Sequence, residues 1–289
     1  MLRLTTPILF FLIAAACSPT SPQASTTTTP PPSSTTTTKA RTDDICVTGD
    51  LAFGTDGLIA AIGEDVGDAS NIDRIRWDGA GTCGRITIGF TNEDGAPATT
   101  IGPTGVSVLS FAGIVRIVVP PEITTTAVAD TLFEGSLAQR AYVVRDMSGG
   151  FTIDIQGAEG IPIQARAFAT TSPASLVVDI ARGPGPSVPA GVTASTTAVV
   201  ITPVPGPNLY PVTTEGYAAP GLGSIHLLLD GADGVEQDRS IALDGSPDAW
   251  QAFRAVTPDG PSGQVILFVG TVDANARPLE GATISIDLP

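Results

Sequence analysis

Apolar and polar residues alternate in short runs through most of the chain. Arg85-Ile86-Thr87-Ile88-Gly89-Phe90 alternates, and Phe151, Ile153 and Ile155 alternate with Thr152, Asp154 and Gln156. A period of two predicts strands with one buried face and one wet face. Val106-Ser107-Val108-Leu109 and Ile114-Val115-Arg116-Ile117-Val118-Val119 predict two more strands, the second ended by Pro120-Pro121. Ile161-Pro162-Ile163 and Leu176-Val177-Val178-Asp179-Ile180 predict a closing pair. Turn signals such as Glu93-Asp94-Gly95 and Ser148-Gly149-Gly150 fall between the runs.

The same texture returns nearer the C-terminus. Val199-Val200-Ile201-Thr202-Pro203 and the stretch from Tyr210 to Ala218 read as strands. Ile225, Leu227 and Leu229 alternate with His226, Leu228 and Asp230. Phe253, the run Gln264-Val265-Ile266-Leu267-Phe268-Val269 and Ile284-Ser285-Ile286-Asp287-Leu288 complete the set. About seven short strands in this span suit an immunoglobulin-like sandwich. Long amphipathic helical runs are scarce, while Gly (32) and Pro (25) are frequent enough to supply many turns. The predicted fold class is therefore all-β, with two β-sandwich domains in tandem at 43–183 and 196–289. Residues 184–195 join them, marked by Pro184, Gly185, Pro186 and Pro189.

The first residues follow another pattern. Met1 and Arg3 carry positive charge, and an apolar run from Pro7 to Ile13 leads into Ala14-Ala15-Ala16-Cys17. Residues 1–16 thus have the layout of a secretory signal peptide. The apolar run is about half the roughly twenty residues that a bilayer-spanning helix needs. Small residues before a cysteine resemble the lipobox of bacterial lipoproteins, although Ala14 stands where that family usually has leucine. The resemblance implies a diacylglyceryl thioether on Cys17, and two acyl chains anchor stably where one does not. An ordinary signal peptide cut nearby is the other reading. After Cys17, residues 18–42 are almost entirely Ser, Thr and Pro. Such a segment lacks the apolar area to offset its ordering entropy, so a disordered linker is predicted. As polyproline II it would reach roughly 75 Å. Its threonine clusters at 26–29 and 35–38 are candidate sites for O-linked sugar.

Charge narrows the partners. The 289-residue chain carries a formal charge of −15, which disfavours nucleic acid and anionic lipid head groups. Membrane attachment is then left to the lipid. With Cys17 acylated, Cys46 and Cys83 remain, and outside the cytoplasm a disulfide is the simplest state of two such cysteines. Two buried free thiols are the alternative. Two cysteines and a single histidine cannot fill a structural zinc shell unaided.

Phe133-Glu134-Gly135, then Ala141-Tyr142-Val143-Val144, then Phe151-Thr152-Ile153, and finally Pro173-Ala174-Ser175-Leu176-Val177-Val178-Asp179 come in an order that resembles the AMIN-like domain of actinobacterial lipoproteins. Asp73-Arg74-Ile75-Arg76-Trp77 and the strand after Cys83 extend the likeness. Ser175 stands where that family has arginine. The resemblance implies a β-sandwich that binds envelope glycan, notably peptidoglycan. The proline-rich first strand of the last segment, with Gly216, Ala218 and a terminal alternating strand, is similar to the immunoglobulin-like domain of spore-germination proteins. That likeness implies a structural or adhesive module.

Motifs for chemistry are sparse. His226 is the only histidine and sits in an alternating strand, opposite in face to Ile225 and Leu227. A Ser-His-Asp triad would have to use it, but no G-x-S-x-G elbow, H-E-x-x-H motif or P-loop accompanies it. Asp230, Asp233, Glu236 and Asp238 form an acidic turn that either holds calcium or is an exposed hairpin loop. Trp77 and Trp250 either stack on sugar rings or sit in the core or at its edge. Arg140, Tyr142 and Arg145, around the AMIN-like hairpin, are the expected ligand surface. No catalytic residue, metal or cofactor is expected. The expected function is a lipid-anchored, non-catalytic envelope protein binding cell-wall glycan, or else an accessory module for an envelope enzyme or transporter.

Overall fold

The computed structural model describes Cys46 and residues 51–80, 82–184, 192–232 and 234–289, without the side chains of Ala80 and residues 234–236. The expected signal peptide, Cys17, the linker 17–42, Asp233 and most of the inter-domain linker lie outside the described residues. Residues 42–289 form one compact unit.

The fold is all-β, with no helix among the described residues. The N-terminal half contains β1 (Gly57–Ile62), β2 (Asn71–Ala80), β3 (Cys83–Thr91), β4 (Thr104–Leu109), β5 (Ile114–Val118), β6 (Thr125–Thr126), β7 (Asp130–Leu132), β8 (Ala138–Arg145), β9 (Phe151–Gly157), β10 (Ile163–Thr170) and β11 (Ser175–Arg182). The C-terminal half contains β12 (Thr193–Ala194), β13 (Ala198–Thr202), β14 (Gly206–Pro207), β15 (Val212–Ala218), β16 (Ser224–Gly231), β17 (Gly234–Ala242), β18 (Trp250–Thr257), β19 (Gly263–Val272) and β20 (Pro278–Leu288). Most predicted runs fall inside these strands. The Ile161-Pro162 start does not, because β10 begins at Ile163 and continues to Thr170.

A sheet of order β10-β11-β3-β2-β6 faces the β1-β4-β5-β9-β8 part of a ten-stranded sheet. Alternation builds the core between them. Ile86, Ile88, Leu176, Val178 and Ile180 meet Val106, Val108, Ile117, Val143, Ile153 and Ile155. In the C-terminal half, β18-β15-β13-β12 faces a sheet of order β14-β20-β19-β16-β17. Val200, Val212 and Phe253 there pack on Ile225, Leu227, Leu267 and Ile284.

The halves share the ten-stranded sheet. Trp250 and Gln251 of β18 run parallel to Val144 and Arg145 of β8. A third apolar cluster joins Ile114, Tyr142 and Val144 to Val199, Ile201, Tyr217 and Trp250. It explains the unbroken apolar runs of β8 and β13. Ala141 and Val143 point into the N-terminal core, while Tyr142 and Val144 point into the joint. Val200 likewise faces its own core and Val199 and Ile201 face the joint. Strands buried on both faces cannot alternate.

Candidate functional site

Three arrangements of polar side chains stand out, and the first secures the N-terminal end. Cys46 and Cys83 form a disulfide with their Cα atoms 6.2 Å apart. Gly54 exchanges backbone hydrogen bonds of 2.8 and 2.9 Å with Ala165, so the incoming chain lies along the outer edge of β10. Arg166 fixes it from below: one guanidinium N–H donates to the Cys46 carbonyl, another to the Leu51 carbonyl at 3.1 Å, and the ring of Phe53 lies 4.8 Å beneath. Asp179, fully buried, sits directly opposite Arg166 on one side and Arg85 on the other. It accepts from Arg166 at 3.0 Å and from Arg85 at 2.7 and 3.0 Å. The single Asp179 carboxylate is thus shared by arginines on both neighbouring strands. A buried ion row of this kind is held by its complete set of partners.

The second arrangement lines the joint and contains the expected ligand residues. Arg140 pairs with Asp130 at 2.8 Å and lies 5.0 Å over Tyr142 and 5.4 Å over Trp250. Trp250, 1% exposed, donates its indole N–H to Asp130 at 2.9 Å. Tyr142 is 2% exposed and meets the Trp250 ring edge-on at 5.0 Å. Arg145 pairs with Asp248 across the joint at 3.1 Å and covers Phe151. Burial pushes the Asp248 carboxyl up, but the Ser246 hydroxyl and the Arg145 charge outweigh it and leave it below its usual value. The structure therefore brings Arg140 and Tyr142 together on the joint face of β8, whereas Arg145 lies at the end of the strand against Phe151 and Asp248, and the polar contacts of all three are made inside the chain. Deeper in the joint, Asp154 accepts from Arg116 at 2.9 and 2.6 Å and from the Tyr217 hydroxyl. Burial, then the Asp154 charge, pushes the Tyr217 phenol well above its ordinary value.

The third arrangement is an open cleft of about 620 Å³ at the edge of the five-stranded sheet of the N-terminal half. Three segments wall it. Ser70 and Asn71 come from the start of β2, Thr91, Asn92, Glu93 and Gly95 from the end of β3 and its turn, and Glu122, Thr124 and Thr125 from the loop before and into β6. The turn is set by Asn92, whose carbonyl accepts from Gly95 N–H at 3.0 Å and whose Oδ1 accepts from Ala96 N–H at 2.9 Å. The loop is pinned by buried Ile123 and by Thr124 N–H donating to the Ser70 carbonyl at 3.0 Å. Asn71 Nδ2 donates to Thr91 Oγ1 at 2.9 Å, and Thr125 Oγ1 donates to Asn71 Oδ1 at 3.1 Å. No motif gathers these residues in the sequence; only the Glu93-Asp94-Gly95 turn is visible there.

The other candidates fall elsewhere. Trp77 packs against Phe133 with ring centroids 5.5 Å apart. A Cβ on Gly135 would stand 2.8 Å from its ring, so Phe133 and Gly135 together make the Trp77 seat. His226 Nδ1 bonds Asp238 Oδ1 at 2.8 Å. Among the described residues no group of three or more His, Cys, Asp or Glu is placed to hold a metal ion. No helix among them is long and apolar enough to cross a membrane. No family model, curated protein or solved structure matches the chain.

Proposed function

We propose that the protein is a non-catalytic lipoprotein on the outer face of a bacterial cytoplasmic membrane, where its N-terminal half engages cell-wall glycan. The observation that carries this reading is the Cys46–Cys83 disulfide. Such bonds persist outside the reducing cytoplasm, and this one lies just beyond the Ser/Thr/Pro run that follows Cys17. The disulfide, Arg166 and the Gly54–Ala165 bonds all fasten the segment through which a tether would pull. Load entering at Cys46 passes to Cys83 at the head of β3, inside the sheet. The glycan part rests on the AMIN-like resemblance of the sequence. Weak contacts to a wall become effective through confinement and repetition.

Two measurements on the full chain test it. Intact mass of the mature protein should show a diacylated Cys17; an unmodified thiol there ends the anchor. Purified peptidoglycan should retain the protein above an unrelated acidic β protein; equal retention ends the glycan claim. The accessory-module reading is favoured by one feature, a groove of about 390 Å³ between Phe111, 54% exposed, and Leu209, 75% exposed. Crosslinking in cells would give a single envelope partner captured through Phe111 in that case.

A further inference from the structure

We infer that the cleft between Asn71, Thr91, Glu93, Glu122 and Thr125 is a subsite for a saccharide that carries a free ammonium group. For where such a ligand is met, the inference rests on the glycan reading above. Hydroxyls, amides and carboxylates line the cleft, and no aromatic or aliphatic side chain does. A hydroxyl-rich ligand meets matching partners at each point of that wall.

The polar row is already ordered. Asn71 holds Thr91 on one side and Thr125 on the other, across three adjacent strands. Each member keeps unused capacity. Thr91 accepts from Asn71 and so retains its own O–H donor; Asn71 retains its second amide N–H; Thr125 retains lone pairs. Two donors and then an acceptor thus stand in a row at the strand spacing of about 4.8 Å, comparable to the width of a sugar ring. Little side-chain entropy remains to be lost when a ligand's hydroxyls bind there.

The carboxylates add the charge requirement. Glu122 is half-buried and Glu93 exposed, and neither has an ion pair or hydrogen bond among the described residues. Glu122 can approach the chain closely because Gly102 has no Cβ for its carboxylate to strike. Calcium takes six to eight oxygens at short range, and among the described residues no cluster of three acidic side chains is available. An ammonium needs only one or two carboxylates and a few hydroxyl acceptors, and charge-assisted bonds of that type are about twice as strong as neutral ones.

The test uses the full chain in detergent with defined probes: a glucosamine tetramer, an N-acetylglucosamine tetramer and tetralysine. The glucosamine tetramer should bind about tenfold more tightly than its acetylated counterpart. Glu122→Gln should abolish that preference, Glu93→Gln should weaken it, and Glu159→Gln, on an exposed turn away from the cleft, should leave it unchanged. Equal affinity for the two saccharides, indifference to Glu122→Gln, or equal binding of tetralysine overturns the subsite. Retention on peptidoglycan before and after chemical N-acetylation separates the two readings. Loss of retention on acetylation supports both. Undiminished retention on acetylated material sinks the subsite and leaves the glycan reading standing. Glu122-dependent binding of the glucosamine tetramer without retention on peptidoglycan does the reverse.

Discussion

Tyr217 of the C-terminal half donates its hydroxyl proton to Asp154 of the N-terminal half, and both side chains are buried. Asp154 also receives two hydrogen bonds from Arg116. The joint therefore has a charged centre inside an apolar ring of Ile114, Tyr142, Val199, Ile201 and Trp250. Removing the shared acceptor leaves a partly buried guanidinium and a buried phenol unpaired. Asp154→Ala should cost about 3 kcal/mol in urea denaturation, and Tyr217→Phe about 1–2 kcal/mol. In a double-mutant cycle the two should couple. Strict additivity would show that the contact contributes nothing to holding the halves together.

The same phenol makes the joint sensitive to alkali. Its pKa is raised from 10.0 by burial first and by the Asp154 charge second, with Arg116 opposing. Tyr142 is raised too, by burial first, with Arg140 opposing and Asp130 adding. A raised pKa means that the folded state binds the proton more tightly than the unfolded state. The contribution to stability is complete below the unfolded value of about 10 and falls as pH rises beyond it. The melting temperature should hold steady from pH 8 to about 9.5 and then drop more steeply in the native chain than in Tyr217→Phe. Parallel curves for the two proteins would mean that Tyr217 ionises as freely folded as unfolded.

Reduction should loosen the N-terminal end before the core. The disulfide closes a separation of 37 residues, worth about 4 kcal/mol in the chain-entropy model. Paired Cys46→Ser and Cys83→Ser substitution should lower stability by that order in urea. Amide exchange should quicken first at Gly54 and Ala165, whose mutual bonds the clamp protects. If exchange instead rose equally across both halves, the disulfide would be stabilising the whole unit rather than its edge.

Much of this fold was legible in the alternation of residues such as Ile86, Ile88 and Phe90, because a half-buried strand writes its burial with a period of two. The Cys46–Cys83 bond was legible from cysteine number and context. The joint was harder to read. Tyr142-Val143-Val144 and Val199-Val200-Ile201 do not alternate, and an unbroken apolar run is the mark of a strand covered on both faces. That signal was present, but it does not say which surface does the covering. β17 was missed because Glu236 and Asp238 read as part of an acidic turn, and an edge strand tolerates such residues. The cleft was illegible because its walls come from three segments, each of ordinary composition, that only the sheet order brings together.

Trp77 gives the sharpest test of packing, because the sign of an effect should reverse. Its ring lies across the backbone of Gly84, on the neighbouring strand, and a Cβ there would overlap the ring. Gly84→Ala must push Trp77 out of its stack with Phe133 or shift the strand, and should cost about 1–3 kcal/mol. Gly84 has no positive φ, so alanine meets no backbone strain at this position. In a Trp77→Ala background the obstruction is gone. Gly84→Ala should then stabilise by about 0.5 kcal/mol, through the reduced freedom of the unfolded chain. Melting curves of the two single variants and the double variant decide it. A cost that persists without the indole would place the constraint in the β2–β3 backbone and not in the ring that covers it.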